Sequence, residues 1–239
     1  MIIGNGFLAN HFSFYKNSND VLIFASGVSN SNENQPANFE RERNLLLKTI
    51  EKNIKKLIVY FSSCDVIYAN ILDKPYFFHK IEMEQLIINY SKEYLIFRIP
   101  QIIGYSRNKN TLINIIIDSI INNKKIEVWS RSYKNLIEIN DIFFIANDLI
   151  SNYLCKNKII NVINKYYYSI NEIINVMEKI INKNAIKDLV EKGFYPNYER
   201  SPLLEKYDNI FSYEKYLTKN LYNHYIDFIK DNEYSLLQN

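Results

Sequence analysis

Cysteine is nearly missing from this chain of 239 residues. Only Cys64 and Cys155 occur, which excludes a disulfide framework and offers no zinc spacing. The three histidines, His11, His79 and His224, share no ligand spacing either, so no metal site is expected. No apolar run reaches the roughly eighteen residues that cross a bilayer, and Met1-Ile2-Ile3 meets Gly4 without room for a signal peptide. Charge of one sign is also lacking: 29 basic residues face 26 acidic ones, net +3, and no Lys/Arg stripe forms. These absences predict a cytoplasmic protein with no nucleic acid or membrane partner. Glycine is scarce, five in all, so its placement is informative.

What is present is an ordinary globular core, 47% hydrophobic, with length for one large domain. Heavy use of Asn, Ile, Lys and Tyr reads as the bias of an AT-rich genome. The first 165 residues alternate short apolar strands with helical patterns, the signature of parallel α/β architecture. Strands are expected at 1–3, 21–25, 57–61, 94–99, 126–129 and 159–163. Helices are expected at 4–10, 39–52, 76–90, 111–121, 141–153, 170–181 and 213–230. Ser169 and Glu172 form a capping-box pattern, and residues 183–212 read as irregular.

Two features carry chemistry. Gly4-Asn5-Gly6-Phe7-Leu8-Ala9 is a G-x-G-x-x-A sequence between apolar residues and a helix. Its glycines permit a tight turn and close approach of a pyrophosphate, although an ordinary strand–helix turn has the same look. The acidic residue that reads an adenosine ribose is missing, because the strand from Val21 ends in Ala25-Ser26. The second feature is Tyr76-Phe77-Phe78-His79-Lys80, opening a helix thirteen residues after Ser63. Tyr76 and Lys80 stand one helical turn apart and share a face. A neighbouring ammonium favours the phenolate, which can then exchange a proton with a carbonyl oxygen at neutral pH. An incidental pair on an amphipathic helix is the plain alternative. Tyr105-Ser106-Arg107-Asn108-Lys109 also fits Tyr-x-x-x-Lys, but without the strand, serines and helix around it.

The order of several further motifs resembles the extended short-chain dehydrogenase/reductases, the NAD-dependent epimerase/dehydratase family that modifies nucleotide sugars. Val21-Leu22-Ile23-Phe24-Ala25-Ser26 resembles that family's fourth strand, V-I-H-L-A-A, and Asn44-Leu45-Leu46 its N-L-L helix. Tyr60-Phe61-Ser62-Ser63-Cys64-Asp65-Val66-Ile67-Tyr68 resembles F-S-S-S-x-x-V-Y-G. Arg98-Ile99-Pro100-Gln101-Ile102-Ile103-Gly104 is similar to R-x-P-N-V-Y-G, and 135–142 to D-F-I-H-V-D-D-V. Asn161-Val162 followed by Ser169-Ile170 matches N-V-G-S-G…S-I.

The resemblance implies a Rossmann-type parallel sheet with helices on both faces and a small C-terminal substrate lobe, about 106–125 and 165–212, within a single domain 1–239. It also implies NAD or NADP as cofactor, held by Gly4, Gly6, Phe7, Leu8, Ala25 and Lys80. Tyr76 is the implied acid/base, Lys80 its tuner, and Ser63 or Cys64 the donor to the substrate oxygen. Gln101, Lys134 and Arg200 are the implied nucleotide-sugar contacts, with Arg107 and Arg131 weaker ones. Tyr166-Tyr167-Tyr168 could stack on a base, though packing is the commoner use. A homodimer through 39–52 and 76–90 is implied.

Two departures stand out. Only about fifteen residues separate Gly6 from the fourth-strand motif, so the family's second and third strands, which hold the adenosine half of the cofactor, are expected to be absent. Asp65-Val66 replaces the acidic pair of dehydratases, which disfavours a 4,6-dehydratase. The expected activity is an NAD(P)-dependent reductase or epimerase for a nucleotide-activated sugar, of the kind that feeds surface polysaccharides. The alternative is a cofactor-free descendant that binds a nucleotide sugar or serves as a partner subunit.

Overall fold

The computed structural model describes residues 1–106, 108–152 and 156–236; Arg107 and Cys155 lie outside them. In chain order the elements are β1 (Ile2–Ile3), α1 (Phe7–His11), β2 (Val21–Phe24), α2 (Pro36–Lys52), β3 (Leu57–Ser63), α3 (Ala69–Leu72), α4 (Pro75–Tyr90), β4 (Glu93–Ile99) and β5 (Gln101–Ile103). There follow α5 (Leu112–Ile121), β6 (Lys125–Trp129), β7 (Tyr133–Glu138), α6 (Ile139–Ser151), β8 (Lys158–Asn161), β9 (Tyr167–Ser169), α7 (Ile170–Ile181), β10 (Ile186–Val190) and α8 (Tyr213–Leu236).

The chain divides into two compact units. The first comprises Met1–Pro100, Asn140–Val162 and Glu199–Leu204. Its sheet has the order β1-β2-β3-β4-β8, parallel throughout. Strands covered on both faces need side chains that are apolar all round, and Val21–Phe24 is buried at every position. On one face Leu46 and Ile50 of α2 and Met83 and Ile87 of α4 pack on Leu22, Phe24, Ile58, Tyr60 and Ile96. On the other, Phe61 meets Phe97 and Phe12, and Phe12 meets Phe143 of α6. Pro36 and Pro75 start α2 and α4, where a missing N–H costs nothing.

Strand order in this sheet never reverses. A doubly wound sheet changes direction beside its first strand, and the ligand crevice opens there. Here β1 is the edge, and it pairs with β2 through Ile2 and Ile3 alone. The second and third strands expected to be missing have no counterpart among the described residues.

The second unit comprises Gln101–Ile139, Ile163–Tyr198 and Glu205–Asn239. It therefore holds β5, β7 and α8 as well as most of the stretches expected of a lobe. β5 runs parallel to β7, β7 pairs antiparallel with β9, and β6 pairs with β10. The expectation of irregular chain over 183–212 is corrected: Ile186–Val190 is a strand and Pro202–Ile210 a run of 3-10 turns. The pattern hid this because β10 lies in a two-stranded ladder, with Ile186 and Leu189 exposed, so it carries no buried alternation.

The capping box at α7 is complete. Ser169 Oγ accepts the Glu172 N–H at 3.1 Å, and the Glu172 carboxylate accepts the Ser169 N–H at 2.7 Å. Ser169→Ala should lower the unfolding free energy by about 1 kcal/mol in denaturant titrations, with Ser169→Asn much milder.

Candidate active site

β2 and β3 deliver their carboxyl ends to one place, and the residues there come from three elements. Gly4 follows β1 with φ +125°, and a Cβ on it would lie 2.4 Å from the Ala25 carbonyl oxygen at the end of β2. Both conformation and contact therefore require glycine at this position. Gly6 differs. Its φ of −81° suits any residue, and a Cβ there would meet nothing within 4 Å. The protein itself gives no reason for glycine at 6, and the space over it is open, as a close-lying pyrophosphate needs. Phe7 and Leu8 are half-buried in the first turn of α1.

The centre of the site is a residue that the motifs did not single out. Glu42 of α2 is buried, and its carboxylate accepts four hydrogen bonds. The Val28 N–H lies at 2.7 Å and the Tyr60 hydroxyl at 2.8 Å. His79 Nε2 lies at 3.0 Å and Lys80 Nζ at 3.2 Å. Lys80, equally buried, also donates to the Tyr60 hydroxyl at 2.8 Å. An ammonium has three donors, so one N–H of Lys80 is left for a ligand. Gly27 lies directly against the pair, since a Cβ on it would stand 2.8 Å from both Glu42 Oε1 and Lys80 Nζ.

Burial alone would raise the Glu42 carboxyl. The Lys80 charge, the His79 bond and the Val28 N–H outweigh it and hold the carboxyl far below its ordinary range. Burial, then the Glu42 charge, keeps Tyr60 protonated well above its usual range.

Lys80 Nζ is 5.7 Å from the centre of the Tyr76 ring. The expected lowering of the Tyr76 phenol is nevertheless corrected. Desolvation, then the carboxylates of Glu42 and Asp65, push it up. Burial is the main reason, and Glu42 also pairs with the ammonium that was to favour the phenolate. The Tyr76 hydroxyl takes no hydrogen bond among the described residues, and the residue is half-buried.

Ser63 and Cys64 part company. Ser63 Oγ accepts the Asp65 N–H at 3.2 Å, and Asp65 is the carboxylate felt by Tyr76, so Ser63 lies in the same neighbourhood. The Cys64 thiol is buried, donates to the Arg98 carbonyl at 3.3 Å, and is raised by burial and then by Asp65.

The substrate candidates fall in different units. Gln101 on β5 is registered opposite Leu136, two residues past Lys134 on β7, and both polar residues are half-buried. Arg200, in the first unit, donates to the Leu204 carbonyl at 3.0 Å. Arg131 is on the surface with Glu191 at 3.1 Å. Tyr166 and Tyr168 both pack against Tyr213, and Tyr167 against Tyr195 and Tyr198. Tyr105 of the second Tyr-x-x-x-Lys match packs on Tyr225 and Phe228, in a loop rather than on a helix. No cluster of three metal-binding side chains occurs among the described residues, and no helix there is long and apolar enough to cross a membrane.

No protein-family model and no curated protein matches the chain. Solved structures do. UDP-glucuronic acid 4-epimerase from Bacillus cereus, in complex with UDP-glucuronic acid and NAD, superposes with a TM-score of 0.70 at 18% identity, covering 93% of this chain and 79% of that one. RMD from Pseudomonas aeruginosa, complexed with NADPH, gives 0.72 at 14% identity over 97% and 98%. UDP-glucose 4-epimerase from Thermotoga maritima, with UDP-glucose, gives 0.67 at 12% identity over 93% and 81%. The chain thus has the fold of the NAD-dependent epimerase/dehydratase enzymes, the extended short-chain dehydrogenase/reductases, with the sheet ending at β1.

A buried ion pair broken on one side leaves an uncompensated charge. Lys80→Met should therefore cost about 3 kcal/mol or more in chemical denaturation. The pH dependence has a definite sign. Glu42 has its folded value depressed, so its contribution is complete above about 4.5, the usual unfolded value, and is lost as pH falls from there. Unfolding free energies measured from pH 6 down to pH 3 should drop more steeply for the wild type than for Glu42→Gln.

Proposed function

We propose that the protein is an NAD(P)-dependent oxidoreductase of a nucleotide-activated sugar, working as a reductase in preference to an epimerase. The observation that carries this reading is the Tyr76 ring on the same helix as the Lys80 ammonium, with Nζ 5.7 Å from the ring centre. An epimerase must first take a proton from a sugar hydroxyl, which needs a ready base. A reductase needs a proton donor, and a phenol, ordinarily neutral at about pH 7, can give its proton to the more basic alkoxide that forms on the substrate.

Gly4, Gly6 and Lys80 would hold the dinucleotide, whose reduced nicotinamide would supply the hydride for the carbonyl carbon. Tyr76 gives its proton to the carbonyl oxygen, so the product is an alcohol and the phenol is left as phenolate until solvent returns a proton. Lys80, paired with Glu42, is proposed to contact the nicotinamide ribose, and Ser63 is proposed to hold the substrate oxygen. The open space over Gly6 and the remaining N–H of Lys80 fit the pyrophosphate and the nicotinamide ribose of a dinucleotide. Gln101, Lys134 and Arg200 are proposed for the nucleotide diphosphate and sugar; Lys meets phosphate as a point charge and Arg as a fork.

One observation favours the second reading, a cofactor-free descendant that binds a nucleotide sugar or serves as a partner subunit. With β1 at the edge of the sheet, nothing of the usual adenosine wall is present among the described residues. Thermal shift with NAD, NADP and a panel of nucleotide sugars separates the two. Stabilisation by a dinucleotide supports the oxidoreductase, and stabilisation by sugars alone supports the descendant. In the first case Tyr76→Phe should retain dinucleotide binding and lose keto-sugar reduction by a hundredfold or more. A variant that reduces the keto-sugar at the wild-type rate would sink the assignment.

A further inference from the structure

The Glu42 cluster reaches three parts of the site through one side chain, and none of the family's motifs accounts for it. Val28 belongs to the loop that leaves β2, Tyr60 to β3, and His79 and Lys80 to α4. Each directs a donor at the same carboxylate over 2.7–3.2 Å. Tyr60 adds a second hold: it accepts from Lys80 and donates to Glu42, so the ammonium is fixed at two points and its third N–H is not used by either. Gly27 closes the arrangement from the loop side, because any side chain there would displace both members of the pair. The ring of His79 is stacked on Phe39 of α2 at 4.6 Å, which fixes the imidazole against Glu42.

Any buried carboxylate needs donors, but here they come from the loop after β2, from β3 and from α4, and one of them is the lysine of the Tyr76/Lys80 pair. We propose that Glu42 is a positioning residue for the dinucleotide: it holds Lys80 and the Ser26-Gly27-Val28 loop in a single frame, so that the free N–H of Lys80 is presented to the nicotinamide ribose. This rests on the oxidoreductase reading above. The residue acts through Lys80 and touches neither substrate nor cofactor.

The test compares dissociation constants for NAD and NADP, measured by calorimetry, in the wild type, Glu42→Gln and Leu46→Ala. Leu46 lies in the core on the same helix and, being apolar, makes none of the cluster's hydrogen bonds; Ile50→Val replaces it if Leu46→Ala fails to fold. Glu42→Gln should bind dinucleotide at least tenfold more weakly than the core variant, while loss of packing alone leaves affinity unchanged. Equal affinity in the two overturns the proposal and leaves the oxidoreductase reading intact. If the wild type binds neither dinucleotide, the oxidoreductase reading fails, and the ribose role of Glu42 fails with it.

The holding of Lys80 is judged separately by melting temperatures of Glu42→Gln, Lys80→Met and the double variant. A double variant that melts higher than either single variant supports it. One that melts no higher than Glu42→Gln, or does not fold when Glu42→Gln does not, overturns it.

Discussion

A carboxylate enclosed by protein is the constraint around which this site is arranged. Removing Glu42 from water is costly, and only paired donors at close range make it tolerable. The chain supplies four, drawn from a loop, a strand and a helix. Each of those elements is thereby fixed relative to the others at the carboxyl end of the sheet. The dependence on geometry is tight: a Cβ at Gly27 would press on Glu42 and Lys80, and Tyr60 must keep its proton to serve as both acceptor and donor.

The same carboxylate determines what kind of acid Tyr76 is. A Tyr/Lys pair in isolation favours the phenolate, since the ammonium is the nearest strong charge. With Glu42 opposite, the ammonium is largely balanced, and Asp65 adds a second negative charge near the phenol. Desolvation then dominates, and the phenol stays protonated. Charge balance one contact away thus helps keep the Tyr76 phenol in its neutral form.

Much of this was legible in the residues. The apolar runs at 21–25 and 57–61 and the Ser169/Glu172 box stand where pattern and capping put them, and the helices expected at 39–52 and 76–90 begin slightly earlier, at Pro36 and Pro75. The brevity of the segment between Gly6 and Val21 signalled the shortened sheet, because there is too little chain for two strands and their helices. Glu42 was not legible. Within Phe39-Glu40-Arg41-Glu42-Arg43 it reads as one charge among several on a solvated helix face, and only the turn of α2 against the sheet shows that this one faces inward. β10 was missed for a related reason: an exposed two-stranded ladder leaves no hydrophobic period to find. Cys64 and Ser63 could not be told apart by spacing, since adjacent residues at a strand end point to opposite faces, and pairing with Arg98 decides which way the thiol goes.

A sheet that never reverses its strand order also redistributes the work of ligand binding. In a doubly wound sheet the crevice has walls on both sides of the first strand, so affinity for a dinucleotide is shared between its two halves. With β1 at the edge, one such wall is left, and Gly4, Gly6, Lys80 and the loop after β2 are the residues proposed for it. Any affinity for a dinucleotide must then come mainly from the pyrophosphate and nicotinamide end, and preorganisation becomes the available means of raising it. A lysine clamped by a buried carboxylate and a tyrosine is already ordered before a ligand arrives. The missing half of the sheet and the unusual fixation of Lys80 are, on this argument, two sides of one adaptation: fewer contacts, each held more rigidly.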